Sequence, residues 1–385
     1  MSFATENELL LCCARTTATP EVVTRITQIA ANDLDWDYLF LLARRHAVLP
    51  LLYLQLNQHA ADLIPQQHLK NLRQHYLENA ARNTILSAEL CRLIDLFSQS
   101  QIETISYKGP TLALFAYDNL ALRRFVDLDL IVKKSDVLKA REILLAEGYT
   151  PSKSLSLNQQ ELLLRTQHNM QFSRDDRRLI IELHWEVAPH LFASSVIPDK
   201  FWRDLITIDI NGTSVKAFSA DDLLFSLCVH GSRHLWERLS WICDVAELIT
   251  RHTFDWTTLL KRAETADNER MFLLGLHLAE KLLDAPLPDE VKARCRADEH
   301  LDSLSSDVIA HLFNGTTHVP ATSRQIFNYN IRVRKTLGAR ARYMLHMFRP
   351  TDSDLSTRAL PPSLSFAYYF LRPLRLIGRI SDPKI

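Results

Sequence analysis

Two aspartates one residue apart, Asp127 and Asp129, sit in "FVDLDLIV", a run whose β-branched residues and alternation predict a strand. Residues two apart in a strand face the same way, about 6.6 Å along the chain. Asp127 and Asp129 therefore share one face, and Val126, Leu128 and Leu130 share the other. Like charges side by side on an otherwise apolar strand repel, and burial sharpens the repulsion. A divalent cation neutralises both. Magnesium fits, because it takes oxygen ligands and completes its shell with water and phosphate; manganese is the other candidate. A third carboxylate, Glu182, lies in "LIIELHWEV", which also reads as a strand, on one face with Ile180 and His184 and continued by Glu186. If the two strands are neighbours, Asp127, Asp129 and Glu182 form a three-acid cluster. Two ions roughly 3.5–4 Å apart there would clamp a phosphoryl transfer. The plainer alternative is an edge strand with solvated aspartates, and Glu182 paired to an arginine of "RDDRR". The chain also holds a control. "DLDWDYLF" repeats the Asp-x-Asp spacing at Asp33 and Asp35, but helical residues follow it, so there the acids read as N-cap and first-turn residues.

The chain has eight glycines, and the first is Gly109, in "YKGP". "IETISYKG" has strand character and "PTLALFAY" reads as a helix opened by Pro110. A loop between a strand and a helix N-terminus can hold phosphate oxygens on backbone N–H groups, and close approach there favours a residue without Cβ. Lys108 adds a cation. A simple strand-to-helix turn explains the same residues.

Around these residues the hydrophobic period changes along the chain. Residues 1 to about 100 read as all-helical, including one long helix, "HLKNLRQHYLENAARNTILSAELCRLIDLFSQS". The next stretch is a small α/β unit: the strands already named, a helix "SDVLKAREILLAEGY" with Ser135 as N-cap and Gly148 as stop, and two strands joined by "RDDRR". "TIDINGTSVKAF" is β-like. From Ser219 helices return, beginning with "SADDLLFSLCVHGSRHLWERLSWICDVAELITRH". Helical spacing there places His230, His234, Glu237, Trp241 and Asp244 on one stripe. Two histidines four apart can bind zinc, but no Glu follows the first and no third ligand is evident. The last part, from about Asn330, is basic and punctuated by proline.

Strand–Gly–helix, strand–Asp-x-Asp, then a strand with one carboxylate resembles the nucleotidyltransferase superfamily with a DNA polymerase beta-type palm. "YKGP", "LRRFVDLDLIV", "IELHWEV" and "HGSRHLWERLSWICD", in that order, look more closely like a bacterial family of uncharacterised nucleotidyltransferases, from about Thr104 to Thr250. The resemblance implies an α+β chain with a small palm, a mixed sheet with helices, over 101–218. A helical region (1–100) would precede it, a helical domain (219–330) would pack on it, and a basic extension (331–385) would follow. It implies Asp127, Asp129 and Glu182 as catalytic metal ligands, with Glu182 helping to activate an acceptor hydroxyl. Lys108 and Gly109 would approach the triphosphate, Arg123 would neutralise phosphate charge, and His230, His234 and Asp244 would line the nucleotide cleft. The implied cofactor is Mg2+ as a two-ion site, and the substrates are an NTP such as ATP and an unidentified acceptor. The sequence departs from the family pattern at Pro110, which has no N–H to donate, at Glu182 where aspartate is usual, and at Arg124 and Val126.

Other classes stay in view. A non-catalytic nucleotide-binding protein would retain the palm. An Asp-x-Asp glycosyltransferase would need an α/β half before the motif, where this chain is helical. Formal net charge is zero, so no global field draws the chain to nucleic acid. The N-terminus does not read as a signal peptide, and no run reaches the roughly 18 apolar residues of a membrane span. Six cysteines without a CxxC pair read as buried free thiols, which points to the cytoplasm. The arginines and aromatics near the C-terminus, among them Arg349, Arg372, Arg375 and Arg379, would suit peripheral contact with an anionic membrane or the solvated faces of packed helices; the second is favoured.

Overall fold

The computed structural model describes residues 4–174, 179–187, 202–314, 322–351, 354–355, 362–370 and 372. Helices α1 (Thr5–Cys13), α2 (Pro20–Ala30), α3 (Trp36–Arg45), α4 (Leu49–His59) and α5 (Gln66–Gln99) come first. Asp35 is the N-cap of α3, its carboxylate accepting from the Tyr38 N–H at 2.8 Å, so the first Asp-x-Asp is a capping device.

The α/β unit follows: β1 (Thr104–Ser106), α6 (Pro110–Tyr117), β2 (Leu128–Val132), α7 (Val137–Ala146), β3 (Thr150–Pro151), α8 (Leu157–Thr166), β4 (Asn169–Arg174) and β5 (Leu179–His184). Its five strands form one mixed sheet in the order β1-β2-β5-β4-β3, with β2 and β5 parallel and the other pairs antiparallel. The chain is α+β. Ser135 does not cap α7; it sits in a 3-10 turn, Lys134–Asp136, that leads into the helix. The turn 175–178 lies outside the described residues. β6 (Leu205–Ile210) and β7 (Thr213–Phe218) form a separate hairpin turned by Asn211 and Gly212, both at positive φ.

Alternation along β2 gives the sheet two different faces. Leu128, Leu130 and Val132 join Ile181 and Leu183 of β5 in a core completed by Leu86, Leu90, Leu93 and Phe97 of α5 and by α7. The opposite face carries Asp129 and Glu182 toward a second core, made by the N-terminal helices and those after the sheet. The latter are α9 (Ala220–Arg233), α10 (Leu239–Arg251), α11 (Trp256–Thr265), α12 (Glu269–Leu283), α13 (Asp289–Ala297), α14 (Leu301–Leu312), α15 (Ser323–Arg332) and α16 (Leu337–His346).

The expected single helix through residues 219–252 is two helices, α9 and α10, and the stripe from His230 to Asp244 is not continuous. Leu235 and Trp236 adopt left-handed backbone between them, with φ of 53° and 49°. Burial of the Trp236 indole outweighs helix continuation. Its ring lies where Gly231 has no side chain: a Cβ there would come within 2.4 Å of it. The Trp236 N–H also donates to the Gly231 carbonyl at 2.9 Å. No helix among the described residues is long and apolar enough to cross a membrane. Arg372 donates to the Met347 carbonyl and to Asp354, a packed arrangement, while Arg375 and Arg379 lie outside the described residues.

Candidate active site

The parallel pairing of β2 and β5 sets Asp129 directly opposite Glu182. Asp127, just before β2, stands on the same side, so the three acids come together on the floor of a cleft of about 620 Å³. Lys108, Gly109, Arg123, His230 and His234 also line this cleft. Asp244 does not. It lies behind Arg123, 1% exposed, with its oxygens taken by the Arg123 guanidinium at 2.8 and 2.9 Å and by the Tyr117 hydroxyl at 2.7 Å.

Gly109 is the residue before α6, with φ +61° and ψ −128°, a conformation only glycine adopts without strain. A Cβ there would meet the Asp127 carbonyl oxygen at 3.5 Å, an ordinary contact, so the backbone angle and not crowding is what requires glycine. Pro110 occupies the first helical position, where a missing N–H costs no intrahelical bond. Thr111 fastens the loop, its hydroxyl donating to the Lys108 carbonyl at 2.8 Å. The Lys108 ammonium lies 4.6 Å above the Tyr107 ring.

The segment carrying Arg123 to Asp127 is held by one face of α5. The Asn79 amide donates to the Ala121 carbonyl at 2.9 Å, the Asn83 amide to the Arg123 carbonyl at 2.8 Å, and Arg82 to the Val126 carbonyl at 3.2 Å. Asn79 and Asn83 are four apart, one above the other on the helix, so both amides reach the same stretch.

His184 stands between two of the acids. Its Nε2 is 2.9 Å from Asp129 Oδ1 and 3.3 Å from Glu182 Oε2, and the Asn169 amide donates to that same glutamate oxygen at 2.9 Å. Burial opposes charge on His184, but the bonds to Asp129 and Glu182 prevail and its pKa rises to about 9. Asp129 is correspondingly lowered: burial works against its ionisation, and the His184 bond and Lys108 outweigh it. Asp127 goes the other way, to about 6, through burial and then the charges of Asp129 and Glu182. The repulsion expected from the sequence thus falls on Asp127.

Oxygens of Asp129 and Glu182 and a ring nitrogen of His184 lie within 4.8 Å of one another, a spacing that could hold a cation. His184 Nδ1 and the Tyr107 hydroxyl are buried without hydrogen-bond partners at the same floor. On the wall, the His230 ring packs 4.9 Å from His234 and 5.1 Å from Trp241, centroid to centroid. Burial and then Lys108 hold His230 neutral. These rings meet although the helix between them is broken, because α10 folds back beside α9.

The sequence alone presents His184 only as a neighbour of Glu182; its place two residues on, on the same strand face, is the available signal. Local patterns give no sign of Asn169, His168 or the arginines Arg44, Arg45, Arg233 and Arg238, all of which line the cleft. Arg44 and Arg45 come from α3, and no local pattern connects that helix to the strands.

A family model described as an uncharacterised nucleotidyltransferase matches residues 32–284. Among solved structures, the chain is similar to an antigenic nucleotidyltransferase-like protein from Paracoccidioides brasiliensis, at 14% identity over 52% of this chain and 93% of that one, with a TM-score of 0.33. No curated protein matches the chain.

Proposed function

The chain belongs to the uncharacterised nucleotidyltransferase family, and from that premise we propose a metal-dependent nucleotidyltransferase with a DNA polymerase beta-type palm, moving NMP from an NTP to an acceptor hydroxyl. The observation that carries the reading is the register of β2 against β5, which faces Asp129 to Glu182 beside Asp127 under a cation-lined cleft. Asp127, Asp129 and Glu182 would hold magnesium, all through oxygen, the ligand type it prefers. Burial, and then the charges of Asp129 and Glu182, raise Asp127, and a bound cation would offset both. Bound there, magnesium would supply charge neutralisation on the phosphate oxygens and activation of the acceptor hydroxyl.

The chain's own groups do the rest. Lys108 and the Gly109 turn into α6 receive the triphosphate, where the helix N-terminus favours anions. Arg123, already neutralised by Asp244, acts as a positioning residue that stiffens the loop bearing Asp127. His184 orients the Asp129 carboxylate. His230, His234 and Trp241 offer flat faces to the nucleotide base. The acceptor oxygen bonds to the α-phosphorus, the bond from that phosphorus to the bridging oxygen breaks, pyrophosphate leaves, and the hydroxyl proton passes to Glu182.

One observation favours a second reading, a nucleotide-binding protein without transfer: the imidazole of His184 sits between Asp129 and Glu182. The test is incubation with each labelled NTP, magnesium and cell extract, comparing wild type with Asp127→Asn/Asp129→Asn. Label transferred by the wild type and abolished in the folded double variant supports transfer. Nucleotide binding without label transfer supports the second reading, and equal transfer by both proteins refutes the site.

A further inference from the structure

Three arginines from three distant elements line the wall of the same cleft. Arg44 lies in the last turn of α3, Arg124 follows Arg123 in the loop, and Arg238 immediately precedes α10. Arg123 and Arg124 are neighbours in sequence with different fates: the first turns inward to Asp244, and the second stands in the exposed part of the cleft. Among the described residues Arg44, Arg124 and Arg238 have no ion pair and no side-chain hydrogen bond. Burial, and then the like charges of Arg238, Arg44 and Arg82, push the Arg124 pKa down. Mutually repelling cations gathered without counterions are stabilised by an anion. The guanidinium fork is shaped for two-point contact with phosphate or carboxylate.

The cations that act on the acids are not the ones that act on Arg124. Lys108 and Arg123 are the cations that act on Asp127 and Asp129, and Lys108 adjoins the Gly109 turn. We propose that Arg44, Arg124 and Arg238 form a second oxyanion site, separate from the triphosphate position at Lys108 and Gly109, that grips a phosphate or carboxylate carried by the acceptor. Its assignment to the acceptor rests on the nucleotidyltransferase reading; the anion site itself does not. The three residues come from the N-terminal helices, the sheet unit and the helices after it, so the acceptor's charged group would be read by all three.

The experiment uses the full chain and Arg124→Gln/Arg238→Gln, both partly exposed positions whose change should leave the melting temperature in place. Inorganic phosphate and pyrophosphate are titrated calorimetrically, with and without a saturating non-hydrolysable NTP and magnesium. Expected is phosphate binding by the wild type that persists with nucleotide bound. In the variant it weakens on the order of tenfold or more, the scale of lost charge-assisted hydrogen bonds, while nucleotide affinity is kept. If the variant instead loses nucleotide affinity and bound nucleotide blocks phosphate, the arginines serve the triphosphate and the proposal falls. It also falls if phosphate binding is absent or indifferent to the substitutions. Arginine-dependent phosphate binding by a chain that binds no NTP would uphold the anion site and count against nucleotidyl transfer.

Discussion

Asp127→Asn should make the protein more stable, and only above a definite pH. The Asp127 carboxyl is raised from 3.8 to about 6 by burial and by Asp129 and Glu182. A folded-state pKa above the unfolded one means that the folded chain holds this proton more tightly. Stability is therefore lost as pH rises from near 4 toward 6, and the whole penalty is present above that. At about 1.4 kcal/mol per pH unit, the rise corresponds to about 3 kcal/mol. Asparagine keeps the shape and cannot ionise. Urea denaturation in the presence of a chelator, at pH 4, 6 and 7.5, should show wild type and variant nearly equal at the lowest pH. They should diverge to as much as about 3 kcal/mol in favour of the variant at the highest. Adding magnesium should then stabilise the wild type and leave the variant almost unmoved, because a ligand that binds only the folded form adds stability in proportion to its occupancy. A variant no more stable than wild type at pH 7.5 would refute the idea that a charged Asp127 is held against burial and the neighbouring acids.

Asp244→Ala should behave as a core lesion, costing about 3–5 kcal/mol by stranding the buried Arg123 charge, as read by chemical denaturation; an undiminished stability with weakened nucleotide affinity would place Asp244 in the cleft after all. Gly231→Ala should cost about 1–3 kcal/mol, since the added methyl collides with the Trp236 ring; a neutral change would mean that the turn between α9 and α10 is not fixed by that contact. His234→Ala should reduce nucleotide affinity with little change in stability, because the side chain is exposed on the cleft wall, and the reverse result would return it to a structural role. Asp35→Ala should cost about 1 kcal/mol, the scale of a lost cap, and leave label transfer untouched; transfer lost in a folded variant would put the reacting carboxylates at Asp33 and Asp35 instead.

What is legible in the sequence is whatever a short stretch decides alone. Alternation marks β2 and β5 and sorts the acids to one face. Asp35 announces a helix start, and Gly109 a turn no other residue makes comfortably. That β2 and β5 are parallel neighbours enters a reading of the sequence only as a condition, because strand order depends on chain far away. The break after α9 escapes because its cause is a tertiary contact: Trp236 fills the space over Gly231, and the local helical pattern carries no sign of it. Asp244 reads as a cleft residue because helical spacing puts it in line with His230. Its actual partner, Arg123, lies 121 residues earlier. The arginine wall is invisible for the same reason, being assembled from three elements whose local patterns say only "exposed".

The bond between Arg123 and Asp244 also bears on when the protein becomes competent as it is made. During synthesis the sheet strands and the α5 face that grips the loop leave the ribosome first, and domains of this size begin to organise as they emerge. Arg123 then lacks its two-bond partner, Asp244, until the chain has grown past α10, and contacts so distant in sequence form late. Until that moment the segment bearing Asp127 is tied on one side only, by Asn79, Arg82 and Asn83. A nascent chain truncated before Asp244 would thus carry every acid of the cluster without the clamp that fixes the loop. Pulse-labelled ribosome-bound chains of increasing length should gain protection of the 120–127 segment from proteolysis abruptly, once residue 244 has cleared the exit tunnel.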